Sequence, residues 1–211
     1  MQKRMHNFAL LHGLDLSEKS LSQLDLYAGL VWEKKDFLNL TSVEKKEEIY
    51  TRHLCDGLAA AAFIAGQKSS NQNICIADMG AGAGYIGLTM AMALPQAQVT
   101  LVESLEKRCS FMNWVALKAG LKNIKVQCVR LGQKPVGPFD FVTERAMGKI
   151  NDILPLIAPC VKEGGRFIAY QSQPDEADQN LLSKLSLTQE TAVNYTLPQE
   201  EKERYLAVFK H

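Results

Sequence analysis

Between Ile74 and Gly87 an apolar run closes on Asp78 and is followed by glycines at 80, 82 and 84. Apolar residues then recur at helical spacing through Ile86, Met90, Ala93 and Leu94. A strand, a turn free of side chains and a helix satisfy that pattern, and few other arrangements do. Glycine suits such a turn because it adopts positive φ and lets a ligand reach the backbone. The helix start behind it presents N–H groups with no partner inside the helix. A second apolar run, Val99 to Val102, ends in Glu103. An acid at that place, about twenty residues beyond the turn, can hold ribose hydroxyls. The segment reads as a binding loop for a cofactor that contains a nucleoside.

Two cofactors compete for the loop. Gly82-Ala-Gly84-Tyr-Ile-Gly87 matches the dinucleotide pattern G-x-G-x-x-G. That pattern, however, places a buried apolar residue where Gly80 stands. A pyrophosphate seeks a helix N-terminus, and an acid such as Asp78 at the strand end repels it. Taken from Asp78, the string acid-x-Gly-x-Gly-x-Gly resembles the loop of class I S-adenosylmethionine-dependent methyltransferases. That cofactor is a cation with an amino acid tail, compatible with Asp78. A glycine-rich turn that binds nothing is the third reading, but three glycines cost backbone entropy that an empty turn does not need. The loop favours the methyl donor.

At 211 residues, 46% of them hydrophobic, the chain can bury one sizeable core. Its longest N-terminal apolar run, Phe8 to Leu11, is too short for a signal peptide or a membrane span. Five cysteines, at 55, 75, 109, 128 and 160, form no C-x-x-C pair. No zinc site or disulfide framework follows, and reduced thiols in a cytoplasmic protein are expected. The net charge is only +1, yet it is unevenly spread. Residues 107–149 hold nine Lys/Arg against two acids, whereas 1–106 hold nine against twelve and 150–211 six against nine. A basic middle between acidic flanks fits a face that meets phosphates, or a solvated helix face.

The first 65 residues look helical. Ser17 or Ser20 can cap a helix bearing Leu21, Leu24, Ala28, Val31 and Trp32, and a second helix from about Glu44 carries Ile49, Leu54, Leu58 and Ala62. Tyr27 and Trp32 are expected as core anchors, and His53 and Asp56, on one side of the second helix, as a hydrogen-bonded pair in its packing instead of an acid–base pair. Residues 66–73 are loop-like, so 1–70 are assigned to an N-terminal helical region and 71–211 to the cofactor-binding domain, packed as one compact unit. From residue 74 strands are expected at 74–79, 98–103, 124–129, 139–143 and 166–171. Helices are expected near 85–94, 105–119, 150–161 and 175–185. Such alternation implies a mostly parallel α/β sheet covered on both faces. The tail segments 187–195 and 204–210 have no helix between them and should form an antiparallel edge hairpin.

Nearly the whole chain resembles the bacterial small-subunit rRNA (guanine-N7)-methyltransferase G family, also called glucose-inhibited division protein B. The resemblance runs through Trp32 to Lys35, Asn39-Leu40-Thr41-Ser42, Arg52-His53-x-x-Asp56 and the loop from Asp78. It continues in Ser104-Leu-Glu-Lys107-Arg108-Cys-Ser-Phe111, Glu144-Arg145-Ala146 and Gly164-Gly165-Arg166-Phe167. It implies a Rossmann-like fold with a seven-stranded sheet and methylation of guanine N7 in the 530 loop of 16S rRNA. The protein would act as a monomer on the rRNA or the small ribosomal subunit, with no metal. Cofactor contacts would come from Asp78, Gly80, Gly82, Tyr85, Leu131, Gly132 and Arg145, with Glu103 on the ribose. Lys107, Arg108 and Arg145 would meet RNA phosphates, although Arg145 could also form a structural ion pair with Glu144 or Asp140. Guanine N7 has a free lone pair and no proton to lose, so catalysis reduces to positioning and no general base is expected. A small-molecule methyltransferase and a non-catalytic module that kept the loop are the alternatives.

The chain departs from the family pattern at several places. Tyr85-Ile86-Gly87 and Thr89 replace a Phe-Pro-Gly and a second proline, Gly57 replaces a serine, Gly132 an acid, and Gln171-Ser172 a Lys-Gly pair.

Overall fold

A computed structural model describes residues 2–67, 73–190 and 192–211. The loop expected at 66–73, and the domain boundary inside it, lie mostly outside the described residues. The N-terminal region is formed by α1 (Gln2–Leu11), α2 (Glu18–Leu38), the short α3 (Lys46–Glu48) and α4 (Cys55–Gly66). Ser17 is the cap of α2, its hydroxyl accepting the N–H of Ser20 at 3.1 Å. The second expected helix is not continuous. Residues Ile49–Leu54 wind as a π-helical turn before α4 begins.

Strands β1 (Cys75–Met79), β2 (Gln98–Glu103), β3 (Ile124–Cys128), β4 (Phe139–Arg145) and β5 (Val161–Gln171) pair in parallel, in the order β3-β2-β1-β4-β5. Helices α5 (Gly87–Ala93), α6 (Glu106–Ala119) and α7 (Ile150–Ile157) lie between them in the chain. After α8 (Gln179–Lys184), β8 (Glu203–Lys210) runs antiparallel to β5. The expected partner of β8 is broken into β6 (Thr188–Gln189) and β7 (Val193–Thr196), both antiparallel to β8 on its outer edge. The sheet thus has seven strand positions, the last filled by two short pieces. A break of this kind keeps an edge strand from offering a long unpaired ladder.

Each face of the sheet buries its own apolar layer. Tyr27 and Leu24 of α2, Leu58 of α4, Leu88 of α5 and Phe111 of α6 belong to one continuous cluster that also reaches Ile76 and Phe141 of the sheet. The N-terminal helices and the sheet therefore share a core. Ile153 and Leu154 of α7, Leu182 of α8, Phe167 and Phe209 form the other layer. Side chains buried this completely contribute about 1.5–3 kcal/mol each. Both layers hold the carboxyl ends of β1, β2 and β4 in register, with Asp78 opposite Leu101 on one side and Thr143 on the other.

Candidate functional site

Strand order reverses around β1, and open α/β sheets bind ligands beyond the strand ends at such a point. Gly80, Gly82 and Gly84 leave β1 with φ of +66°, +60° and +86°, a backbone that side chains rarely adopt. At Gly87 space is the constraint. A Cβ there would overlap Leu101 Cδ2 and lie 2.9 Å from Asp78 Cβ, so α5 begins hard against the sheet. Tyr27 braces the loop, its buried hydroxyl donating to the carbonyl of Ala83 at 2.9 Å.

The two acids serve the loop differently. Asp78 Oδ2 accepts the N–H of Gly87 at 2.8 Å, and Oδ1 accepts the Thr143 hydroxyl at 3.1 Å. Burial pushes this carboxyl up to about 6, and those bonds offset the push only in part. Glu103 Oε2 accepts the N–H of Gly82 at 2.9 Å, while Oε1 accepts those of Ser104 and Leu105 at 2.7 and 2.9 Å. It joins the loop after β1 to the turn after β2 and keeps lone pairs for further donors.

A cavity of about 380 Å³ opens over this loop. Asp78, Gly80, Gly82 and Tyr85 line it from β1 and its loop, Arg108 from α6 and Arg145 from the end of β4. Leu40, Thr41, Ser42 and His53 close it from the N-terminal region. Arg108 Nη1 lies 3.8 Å from Glu103 Oε2, and its Nε is buried without a partner among the described residues. Leu131, Gly132 and Lys107 are not among the lining residues, and neither is Glu103, which is buried behind the loop. The first two follow β3, one strand further out, and a Cβ on Gly132 would face Leu156 Cδ2 at 3.3 Å.

His53 and Asp56 do not pair as expected, because the π-helical turn sets them on different sides. The His53 ring stacks on Tyr85 with centroids 4.1 Å apart, and its Nε2 shares a 2.7 Å hydrogen bond with Thr41 Oγ1. Burial, followed by the nearby Arg145 guanidinium, lowers it to about 3, so the ring is neutral. Asp56 is only 1% exposed. Its Oδ2 accepts from Nη1 of both Arg145 and Arg204, at 2.6 and 3.3 Å, and its Oδ1 accepts the Tyr195 hydroxyl at 2.8 Å. The Tyr170 hydroxyl donates to its carbonyl at 2.9 Å. Arg145 is thus paired with neither Glu144 nor Asp140. Glu144 accepts the N–H of Met147 at 3.1 Å, and Asp140 accepts that of Cys75 at 2.8 Å.

Beyond Arg145 lies a larger cavity of about 700 Å³ that the glycine loop gave no hint of. The two cavities share Arg145 and Ala146 as lining residues. Ala146 holds φ of +65°, a left-handed conformation costly for a residue with a side chain and concentrated at functional sites.

The sequence pattern of rRNA small subunit methyltransferase G matches residues 20–207. The chain belongs to that family. It is 32% identical over 207 residues to the ribosomal RNA small subunit methyltransferase G of Limosilactobacillus reuteri (strain DSM 20016), covering 93% of this chain and 85% of the relative. The Bacillus subtilis (strain 168) protein of the same name is 31% identical over 207 residues, covering 94% and 85%. Among solved structures, the magnesium protoporphyrin IX methyltransferase of Synechocystis PCC 6803, crystallised with S-adenosylmethionine, superposes with a TM-score of 0.63 at 11% identity, covering 92% of this chain and 98% of that one. The precorrin-6y C5,15-methyltransferase of Geobacter metallireducens gives 0.51 at 12% identity, covering 79% and 89%. At these identities the structures show the shared Rossmann-like fold alone.

As a member of this family the protein is a methyltransferase that uses S-adenosylmethionine. The smaller cavity suits that cofactor. Asp78 is a buried acid on its wall, Glu103 behind the loop accepts backbone N–H groups and keeps lone pairs for further donors, and the glycines leave open space along the loop.

Proposed function

We propose that this chain methylates guanine N7 in the 530 loop of 16S rRNA, as a cytoplasmic monomer and without a metal. The observation that carries the reading is the pair of cavities meeting at Arg145 and Ala146, one over the glycine loop and one open beside it. The basic segment 107–149, with nine cations against two acids, supports a polyanionic acceptor. At the smaller cavity S-adenosylmethionine would supply an electrophilic methyl group on a positively charged sulfur, to be taken by the acceptor lone pair with a neutral thioether left behind. Asp78 and the backbone at Gly80 and Gly82 would hold the cofactor, Glu103 behind the loop would meet its ribose, and Tyr85 is kept in place by its stack on His53. Leu131 and Gly132 would contribute only with a shift of the segment after β3.

No residue need accept a proton from guanine N7. Neutral His53 shares its Nε2 hydrogen bond with Thr41, which fits a supporting role instead of general-base chemistry. Lys107 and Arg108 open α6 beside the cofactor loop, where Lys107 would meet RNA phosphates and Arg108 would face both cofactor and RNA. Transfer of labelled methyl groups to naked small-subunit rRNA and to assembled small subunits, run side by side, tests the reading. Label in either RNA, resistant to protease, is expected. Turnover with small acceptors and none with RNA would instead select a small-molecule methyltransferase.

A further inference from the structure

We propose that the cavity of about 700 Å³ receives the acceptor nucleotide, and that Asp56 is the positioning residue that holds its two guanidinium groups, Arg145 and Arg204, together for a backbone phosphate. This rests on the RNA acceptor proposed above and adds where that acceptor sits.

Position is the first argument. The smaller cavity extends from Arg108 at the start of α6, across the β1 loop, to Arg145 at the end of β4. An acceptor must therefore reach it from the side not occupied by β2 and α6. The larger cavity lies there, bounded by Tyr170 and Gln171 at the end of β5 and by Tyr195 and Arg204 of β7 and β8. Its only wall in common with the smaller cavity is Arg145 and Ala146. Its volume falls within the few hundred to a thousand Å³ typical of pockets for small ligands, enough for one unstacked nucleotide.

Charge is the second argument. Arg52, Arg145, Lys202 and Arg204 line the cavity against Asp56, Glu200 and Glu201. Two cations do not converge without reason, and here one oxygen, Asp56 Oδ2, accepts from both Arg145 and Arg204. The carboxylate is buried and also anchored by Tyr195, so it cannot swing out to meet solvent. Over the whole cavity four cations against three carboxylates leave one positive charge over, and each guanidinium has five N–H donors in a rigid fork. A phosphate at the cavity would complete the set. Glu200 holds the outer side of Arg204, accepting its Nη2 at 2.9 Å, and also pairs with Arg52 at 3.1 Å. The whole cluster is tied before any ligand arrives, which reduces the entropy lost on binding.

The test uses small subunits reconstituted with 6-thioguanosine in the 530 loop, bound to the full-length protein with S-adenosylhomocysteine and irradiated. Cross-links to residues 170–172 or 195–204 are expected. Cross-links confined to 40–42 or to 80–86, or none, would overturn the cavity assignment. Two variants probe the positioning role. Asp56→Asn should raise KM for the subunit at least tenfold while changing cofactor affinity, measured by calorimetry, much less. Asp56→Glu should restore part of the loss. Arg204→Gln, which leaves the buried acid in place, should lower the salt dependence of RNA binding by about 0.7–0.9 in the slope of log K against log salt. Equal losses in cofactor and RNA affinity, or an unchanged slope, would reject the role of Asp56. If the wild-type protein transfers no methyl group to unmodified subunits, the RNA acceptor itself is wrong and this proposal falls with it. Methyl transfer with cross-links elsewhere refutes only the cavity.

Discussion

Glu103→Gln should uncouple the cofactor loop from the sheet without unfolding the protein. The carboxylate receives three backbone N–H groups, Gly82 on Oε2 and Ser104 with Leu105 on Oε1. Glutamine has one acceptor oxygen and one amide nitrogen, and the nitrogen cannot accept from an N–H. The better orientation keeps the oxygen on Ser104 and Leu105 and leaves Gly82 facing a donor. One hydrogen bond to a charged acceptor is then lost, about 1.5–3 kcal/mol, and a second of similar size where a ribose hydroxyl would have donated. The first loss loosens the free loop and only the second enters the binding equilibrium, about ten- to a hundredfold in cofactor affinity, since 1.4 kcal/mol is about tenfold. Calorimetric titration with S-adenosylhomocysteine reads this directly, and thermal melting checks the fold. Affinity within threefold of wild type would show that Glu103 only shapes the turn and that the ribose lies elsewhere.

Cofactor affinity should also depend on pH. Asp78 is raised to about 6 and attracts a cationic ligand only when ionised. Affinity for S-adenosylmethionine should therefore hold steady above pH 7 and fall as pH drops through about 6; a flat profile from pH 7.5 to 5 would remove Asp78 from the cation's surroundings. His53, lowered to about 3, should show no titration between pH 5 and 8 in proton NMR, and a midpoint near 6.5 would contradict its stack on Tyr85 and its bond to Thr41. Gly57→Ala should destabilise the protein by about 1–3 kcal/mol in urea unfolding, because the new Cβ would lie 2.6 Å from Thr89 Cβ and 2.9 Å from the Tyr85 carbonyl. An unchanged midpoint would mean that α4 and α5 can separate freely there.

The geometry of the glycine loop was legible because its signal is local. Asp78, the alternating glycines and Glu103 sit at the ends of two apolar strands, and short-range chemistry alone dictates what they do. The Gly57 contact also bears on two departures from the family pattern, Gly57 and Thr89, which turn out to be neighbours across α4 and α5. The acceptor half was not legible. Asp56 and Arg204 lie 148 positions apart, and only the sheet order, which lays β8 beside β5, brings them together. The mistaken His53–Asp56 pair has a local cause, since assuming α-helical spacing across Ile49–Leu54 puts both residues on one face while the π-helical turn does not. Leu131 and Gly132 came from resemblance and from their place after β3 at the carboxyl edge of the sheet, and that place does not set their distance from the cavity.

The most direct measurement is the position of the methyl group. Small-subunit rRNA from a strain lacking this gene, and from the same strain with the gene restored, would be cleaved chemically at N7-methylguanosine and mapped by primer extension. A single cleavage in the 530 loop that appears only with the gene is the predicted result. An identical pattern in both strains would contradict the assignment of guanine N7 in that loop as the acceptor.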